Sequence, residues 1–458
     1  MRSSQLRKTV NRNRNRNRNK RKTWRNKRTK NARGGKLILI TAGDQEYEQD
    51  DVTREIFNAY IWINGKRLPI FDGKMNEKGD GHGKLYRYYS DGKTFSMYEG
   101  PITDKKKQGH GKFKTYDSNG NEDSVYDGDW TDNKKQGHGK FKTYDSNGNE
   151  DSVYDGDWTD DKKDGYGVYQ KRYTYSGQWK NDEKNGKGVE SGPIWSGKKQ
   201  IGTIHTDGNW LKNKAVYGTM TIEYVDDKTK SVYVGELNGV NNRHGTGTYT
   251  FYDKDGHVRY TYDGDWTDNK KQGHGKFKTY DSNGNEDSVY DGDWTDDKKD
   301  GYGVYQKGYT YSGQWKNDEK NGKGVESGPI WSGSQQIGTI QTDGNWVNNK
   351  AVYGVMSIIY KNGTKSVYVG ELNGVNNRHG TGTYTFYDKD GHVRYTYSGQ
   401  WDNNKMVNPL ETLRRRFTTP PPPMMGDRFR GSDDSSPSPF HHRMTPTPPP
   451  DKFKVKVD

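Results

Sequence analysis

The sequence predicts an all-β fold, an elongated single-file array of antiparallel β-hairpins, and three observations carry that prediction. Over 458 residues hydrophobic side chains make up only 27%, with ten Leu, too few to fill several thick cores. Aromatics nevertheless reach 13%, with 34 Tyr and 13 Trp beside 58 Gly. A chain without structure is poor in rings, so these rings pack in some thin, regular way. Third, a five-residue phrase, aromatic-x-Gly-x-aromatic, recurs along the chain, and such self-similarity marks a repeat architecture.

Seven copies carry the full phrase: Tyr126-x-Gly128-x-Trp130, Tyr154-x-Gly156-x-Trp158, Tyr175-x-Gly177-x-Trp179, Tyr262-x-Gly264-x-Trp266, Tyr290-x-Gly292-x-Trp294, Tyr311-x-Gly313-x-Trp315 and Tyr397-x-Gly399-x-Trp401. Two read Tyr-x-Gly-x-Leu (Tyr233, Tyr368) and two have Thr first (Thr206, Thr342). Two more are degenerate, Phe71-Asp72-Gly73-Lys74-Met75 and Tyr98-Glu99-Gly100-Pro101-Ile102. Thirteen units result, 21 to 31 residues apart, and most carry Gly-x-Gly about eleven residues after the first aromatic, as at Gly137-His138-Gly139. Larger copying overlies this: residues 126–171 are identical to 262–307, and the likeness runs on to about 261 and 396 with one deletion.

Strand alternation explains the phrase. Tyr126, Gly128 and Trp130 share one face while Asp127 and Asp129 point the other way. The Gly leaves a slot between two large rings, and Gly137, Gly139 and Phe141 on the next strand form a flat bed for them. Asp132-Asn133-Lys134-Lys135 supplies a turn inside the unit and Asn147-Gly148 one between units. Asn-Gly and Asp-Gly, strong hairpin signals, recur at Asn119, Asn283, Asn362, Asp255 and Asp390. Thirteen two-strand units at 4.8 Å per strand predict a rod of about 120 Å.

Tyr-x-Gly-x-Trp followed by Gly-x-Gly resembles the MORN (membrane occupation and recognition nexus) repeat, over roughly 71–405. Thr206, Thr342, Leu237 and Leu372 depart from that pattern, so packing is expected to weaken there. The resemblance implies a β array that docks proteins, and in some cases lipids, with no catalytic activity or cofactor of its own. Long arrays of this kind without a catalytic domain are similar to those of protists and large DNA viruses, which makes a virion or cytoskeletal scaffold the expected role.

The flanks divide the rest. Residues 37–70 hold a hairpin, Tyr60–Ile63 and Lys66–Phe71 about Asn64-Gly65, after an acidic stretch, and suit an N-terminal cap. Asn408-Pro409-Leu410-Glu411 reads as a helix start, with Leu410, Leu413 and Phe417 on one face: a short capping or dimerising helix over 408–417. A homodimer through this helix or a terminal repeat is expected. Residues 418–458, with Pro420–Pro423 and Pro448–Pro450, are expected to be disordered, and Thr-Pro and Ser-Pro pairs there offer phosphorylation sites.

Charge singles out the other end. Residues 1–36 carry +16 and 409–458 carry +3, so the chain's +14 leaves −5 for 37–408. The arm, expected to be disordered, alternates Asn with Arg12, Arg14, Arg16 and Arg18 before Lys20, Arg21 and Lys22. Such a run favours a polyanion, nucleic acid or anionic membrane, or an import receptor. The absence of Cys excludes thiolate chemistry and fits an intracellular chain. No apolar run suits a membrane span, and no apolar stretch follows the basic start as in a signal peptide. His82, His110, His138 and His274 between glycines read as solvated, because equivalent residues two strands apart are too distant to share a zinc. Asp145–Asp151 superficially resembles a calcium loop, but its Gly is misplaced and a bidentate Glu is missing, so a turn is expected. Gly-x-Gly inside a hairpin is no dinucleotide fingerprint. The rings of the phrase are expected to be core, with Trp195 and Trp331, off the phrase, freer to bind.

Overall fold

A computed structural model of the chain describes residues 28–30, 36–42, 44–239, 242–374 and 377–407, with side chains from residue 44 onward. Every regular element among them is a β-strand. The chain divides into two compact units, one ending at Lys163 and the other beginning at Asp164.

In the first unit the repeating element is a hairpin such as Glu122–Thr131 with Lys134–Tyr144, each strand pairing antiparallel with the next. Its tight turn is Asp132-Asn133, with φ of 50° and 71°. Two successive left-handed residues make the mirror-image turn whose twist suits a hairpin, and Asp and Asn are the non-glycine residues that best tolerate that region. At the opposite edge the chain returns through a wider loop. The Gly148 N–H donates to the Asp145 carbonyl at 2.9 Å, and Asp145 Oδ1 accepts the N–H groups of Asn147 and Asn149 at 2.9 Å. Asn-Gly thus marks the looser connection here, while the two-residue turns fall on Asp/Asn pairs. At Asn64-Gly65 the pair does close a two-residue turn, with Ile63 opposite Lys66.

The N-terminal flank is more strand-rich than its sequence suggests. Strand Arg28–Lys30 pairs with Lys36–Ala42, which pairs with Gln45–Asp50, so ordered backbone reaches into the arm expected to be disordered to residue 36. The hairpin at Asn64-Gly65 runs over Ile56–Ile63 and Lys66–Met75, longer than predicted, and its second strand continues into the first degenerate phrase. Residues 1–27, the 408–417 helix and the 418–458 tail lie outside the described residues.

The second unit, which begins inside the strand Lys162–Gln170, repeats the same plan. Hairpin lengths differ within it. Glu319–Ser332 and Gln335–Val347 hold 14 and 13 residues, whereas Thr310–Lys316 beside them holds only seven. In both units the core is one side-chain layer thick on one face of the sheet: Tyr126, Tyr154, Tyr262, Tyr290 and Tyr311 are at most 1% exposed.

The two glycines of Gly-x-Gly serve different needs. Gly139 lies directly opposite Gly128, and a Cβ on it would come 2.3 Å from the Tyr126 hydroxyl, so it is required for close approach. Gly137 has φ +60° beside the register shift between Gly128 and Trp130. The flat bed expected of Gly137, Gly139 and Phe141 is therefore interrupted by a bulge, and the Asp129 carboxylate accepts the freed N–H of His138 at 3.3 Å.

Candidate functional site

On the inner face each full Tyr-x-Gly-x-Trp phrase spends both rings on the array. The Tyr126 hydroxyl donates to the Asp129 carbonyl at 3.0 Å, and the Trp130 indole N–H donates to the Gly111 carbonyl of the preceding hairpin at 3.0 Å. Trp130 meets its own Tyr126 edge-on at 5.1 Å and Tyr98 of the preceding unit at 5.6 Å. In the second unit Trp294 repeats the set, with the Gly275 carbonyl at 2.9 Å, Tyr290 at 5.1 Å and Tyr262 at 5.5 Å. All nine tryptophans at the fifth position of the phrase make this bond to a glycine carbonyl. Where Thr206 and Thr342 replace Tyr, the side chain is fully buried, its hydroxyl has no partner, and Met220 or Met356 stands opposite.

Each ring box also holds a cation that periodicity did not reveal. Lys135 Nζ lies 4.3 Å from the Trp158 ring and 4.5 Å from Phe141; Lys271 Nζ lies 4.2 Å from Trp294 and 4.8 Å from Phe277. Arg243 and Arg378 take the place in the units with Leu237 and Leu372, 4.4 Å from Trp266 and 4.7 Å from Trp401. Burial pulls the ammonium groups of Lys107, Lys271 and Lys299 down to about 8, while the ring faces favour the charged form. Lys184 and Lys320 each gain a buried carboxylate partner, Glu190 and Glu326. The second of two successive Lys after the turn was the available signal, and it reads like any solvated charge.

A second staple joins successive units through their turns. Lys135 N–H donates to Asp161 Oδ1 at 2.8 Å, and Asp161 N–H donates back to the Lys135 carbonyl at 3.1 Å. Lys271 with Asp297 and Lys320 with Asn349 repeat the exchange. The second turn position thus needs both a left-handed backbone and a side-chain oxygen, a pair of demands that Asp and Asn meet.

The outer face carries the polar chemistry. His138 Nε2 lies 3.1 Å from Asp155 and its Nδ1 3.6 Å from Asp157, while Lys140 reaches Asp155 at 3.0 Å. His110 and His274 sit between aspartates in the same way. These histidines, expected to be solvated, are 66–70% exposed and paired. Asp253, Asp255 and His257 approach one another in a loop, as do Asp388, Asp390 and His392. Their first carboxylates already accept loop N–H groups, Asp253 Oδ1 from Asp255 at 3.0 Å and His257 at 2.9 Å. Trp195 and Trp331 are 53% and 56% exposed near the tips of the longest hairpins. Beside the latter a notch of about 700 Å³ opens over the short hairpin, with Lys307 bonded across it to Asp287 at 2.8 Å. The polyanion candidates Arg12, Arg14, Arg16, Arg18, Lys20, Arg21 and Lys22 fall outside the described residues.

The family model of the MORN repeat matches nine segments, at residues 126–148, 154–172, 175–197, 240–256, 262–284, 290–308, 311–333, 375–391 and 397–408. Each Tyr-x-Gly-x-Trp copy opens one of them, and the segments at 240 and 375 follow the two Tyr-x-Gly-x-Leu copies. The units at Phe71, Tyr98, Thr206 and Thr342 lie outside the matches, yet glycines still face each other there, as Gly73 with Gly83 and Gly208 with Gly218. Among curated proteins no match to the chain was found.

Proposed function

As the chain belongs to the MORN-repeat family, we propose that it is a scaffold that docks partner proteins along the outward-facing rows of its hairpins. Repeats of this family are commonly protein- or membrane-binding modules and generally non-catalytic. The observation that carries the reading is the division of labour between faces. Every phrase Trp is bonded to the neighbouring hairpin, which leaves chemical variety to the outward rows. A virion or cytoskeletal assembly is the setting this reading favours, with a homodimer joined at a terminal repeat; a monomer in sedimentation at micromolar concentration would remove the dimer alone. Proximity labelling in the native cell tests the scaffold. Neighbours captured by the full chain should be lost when Lys140→Glu and Lys276→Glu reverse outward charges without changing the circular dichroism. Unchanged capture by that variant would count against outer-face docking.

Charge supports a second reading, a polyanion tether through residues 1–36. The −5 of 37–408 falls wholly in 44–55, which hold six carboxylates and one Arg. Residues 56–408 are therefore neutral overall, and attraction to an anionic surface rests on the arm. Pelleting with anionic against neutral liposomes, set beside gel shifts with DNA and RNA, separates the targets. A chain lacking 1–36 that still bound at full strength would refute the tether.

A further inference from the structure

Toward its C-terminal end the second unit presents an outward face of a different kind. Lys350–Tyr360, Lys365–Leu372, Arg378–Tyr387 and Val393–Asp402 pair in sequence, and their middle row reads Val355, Val369, Thr383, Ser398. Tyr353 and Ile359 share that face on the first strand, and these two with Val355 and Val369 are 39–52% exposed. Duplication makes the change measurable. At the corresponding positions the earlier copy has Glu223 for Ile359, Thr219 for Val355, Asp263 for Ser398 and Asp265 for Gln400. Inward residues are kept, Met220 as Met356 and Ile222 as Ile358. At these four positions the later copy has exchanged three carboxylates and a hydroxyl for two aliphatic and two neutral polar side chains, while at the end of the last strand it gains Asp402 for Thr267, 3.5 Å from His379.

The remaining polar groups are satisfied in place. Thr383 and Ser398 hydroxyls bond at 2.9 Å, Thr385 and Thr396 at 3.3 Å, and Gln400 donates to Thr381 at 2.8 Å. The middle of such a face can be covered without stranding a donor or a charge, its carboxylates Glu371 and Asp402 standing at the border; in the earlier copy covering would desolvate Asp263 and Asp265. Among the described residues nothing covers it.

Chain connectivity nominates the occupant. The Val407 N–H donates to the Gln400 carbonyl at 2.8 Å, so residue 408 leaves from the border of this face. Leu410, Leu413 and Phe417 fall on one side of a helix begun at Asn408-Pro409, and Arg414, Arg415 and Arg416 follow Leu413. Val369 lies two strands from Gln400, about 10 Å across the sheet, and a helix rising 1.5 Å per residue carries Leu413 about 8 Å beyond residue 408, which its side chain extends to that distance. The face itself is acidic at its border, through Glu371 opposite Tyr353 and Asp343 opposite Val355. We propose that residues 408–417 pack across this face of their own chain, the leucines and Phe417 against Val355, Val369 and Ile359, and the arginines toward Asp343 and Glu371.

The chain has no cysteine, so a full-length Val369→Cys, Leu413→Cys variant offers a single possible disulfide. Under mild oxidation at low micromolar concentration it should close within one chain, seen by intact mass and by migration as a monomer without reductant. Its yield should exceed that of a Val234→Cys, Leu413→Cys control, the same position in the earlier copy, by about tenfold or more, as a millimolar effective concentration implies. Disulfide-linked dimers alone would assign the face to a second copy, and no disulfide at all would leave it to another protein; either result overturns the proposal. Neither touches the scaffold reading, which stands or falls on partner capture.

Discussion

Lys271 is 7% exposed over the Trp294 ring, with burial lowering it to about 8. An unfolded lysine titrates near 10.4, so between about pH 8 and 10 the unfolded chain holds the more protons and stability rises with pH. Core tyrosines act in the opposite sense. Burial pushes Tyr98, Tyr233 and Tyr368 up to about 12. Above about pH 10 the unfolded chain ionises first, and stability falls as pH climbs through the folded values. Melting temperature should therefore rise from pH 8 to a maximum near 10 and then drop, and Lys271→Met should flatten the rising limb. A melting temperature already falling from pH 8 to 9.5 would contradict the buried-ammonium account. Thr206 supplies a second residue-scale prediction. Its hydroxyl is buried without a partner, so Thr206→Val should stabilise by about 1 kcal/mol in chemical denaturation; a loss of similar size would mean the hydroxyl is satisfied.

At the scale of the element, the tight turn both closes its own hairpin and staples the hairpin before. Asp161 has φ 70° and exchanges two hydrogen bonds with the Lys135 backbone. Asp161→Gly keeps the backbone conformation and loses one bond, at a cost of about 1 kcal/mol. Asp161→Ala loses the same bond and adds left-handed strain of about 1 kcal/mol, so alanine should be the worse replacement, the reverse of the usual order inside a strand. Equal losses in urea titrations would show that the left-handed backbone is not what the position demands. Much of this element was legible in the sequence. Period two placed Tyr126, Gly128 and Trp130 on one face, and the paired glycines announced close approach. Other features could not be read there. The caged Lys135 looks like a solvated charge until the next hairpin brings Trp158 above it, and the Asp161 staple joins residues 26 apart. Both turns lie where the sequence puts them, inside the unit at Asp132-Asn133 and between units at Asn147-Gly148, but sequence does not show that the former is the tighter, because part of its hold is the bond to Lys107 in the preceding unit.

Across the whole molecule, charge and packing are kept apart. Residues 1–36 hold +16, residues 44–55 hold −5 and residues 56–408 are neutral. Binding to nucleic acid through the arm should thus weaken steeply with salt, the slope tracking the phosphates contacted, and a salt-independent gel shift would refute an electrostatic arm. Packing belongs to neighbours: within the second unit Trp266, Trp294, Trp315 and Trp401 each touch the Tyr of their own phrase and that of the one before, and Trp210 and Trp346 touch the preceding Tyr. The central claim is that the array is held together unit by unit on its inner face, leaving the outer face free to dock. Hydrogen exchange by mass spectrometry on full-length Trp294→Ala tests it most directly. The substitution removes ring packing of about 3 kcal/mol or more. Exchange should accelerate by about a hundredfold or more from Val258–Thr267 to Lys298–Gln306, while Lys350–Tyr360 and the strands beyond stay as protected as in the parent chain. Protection lost evenly across the second unit, or retained everywhere, would contradict the account.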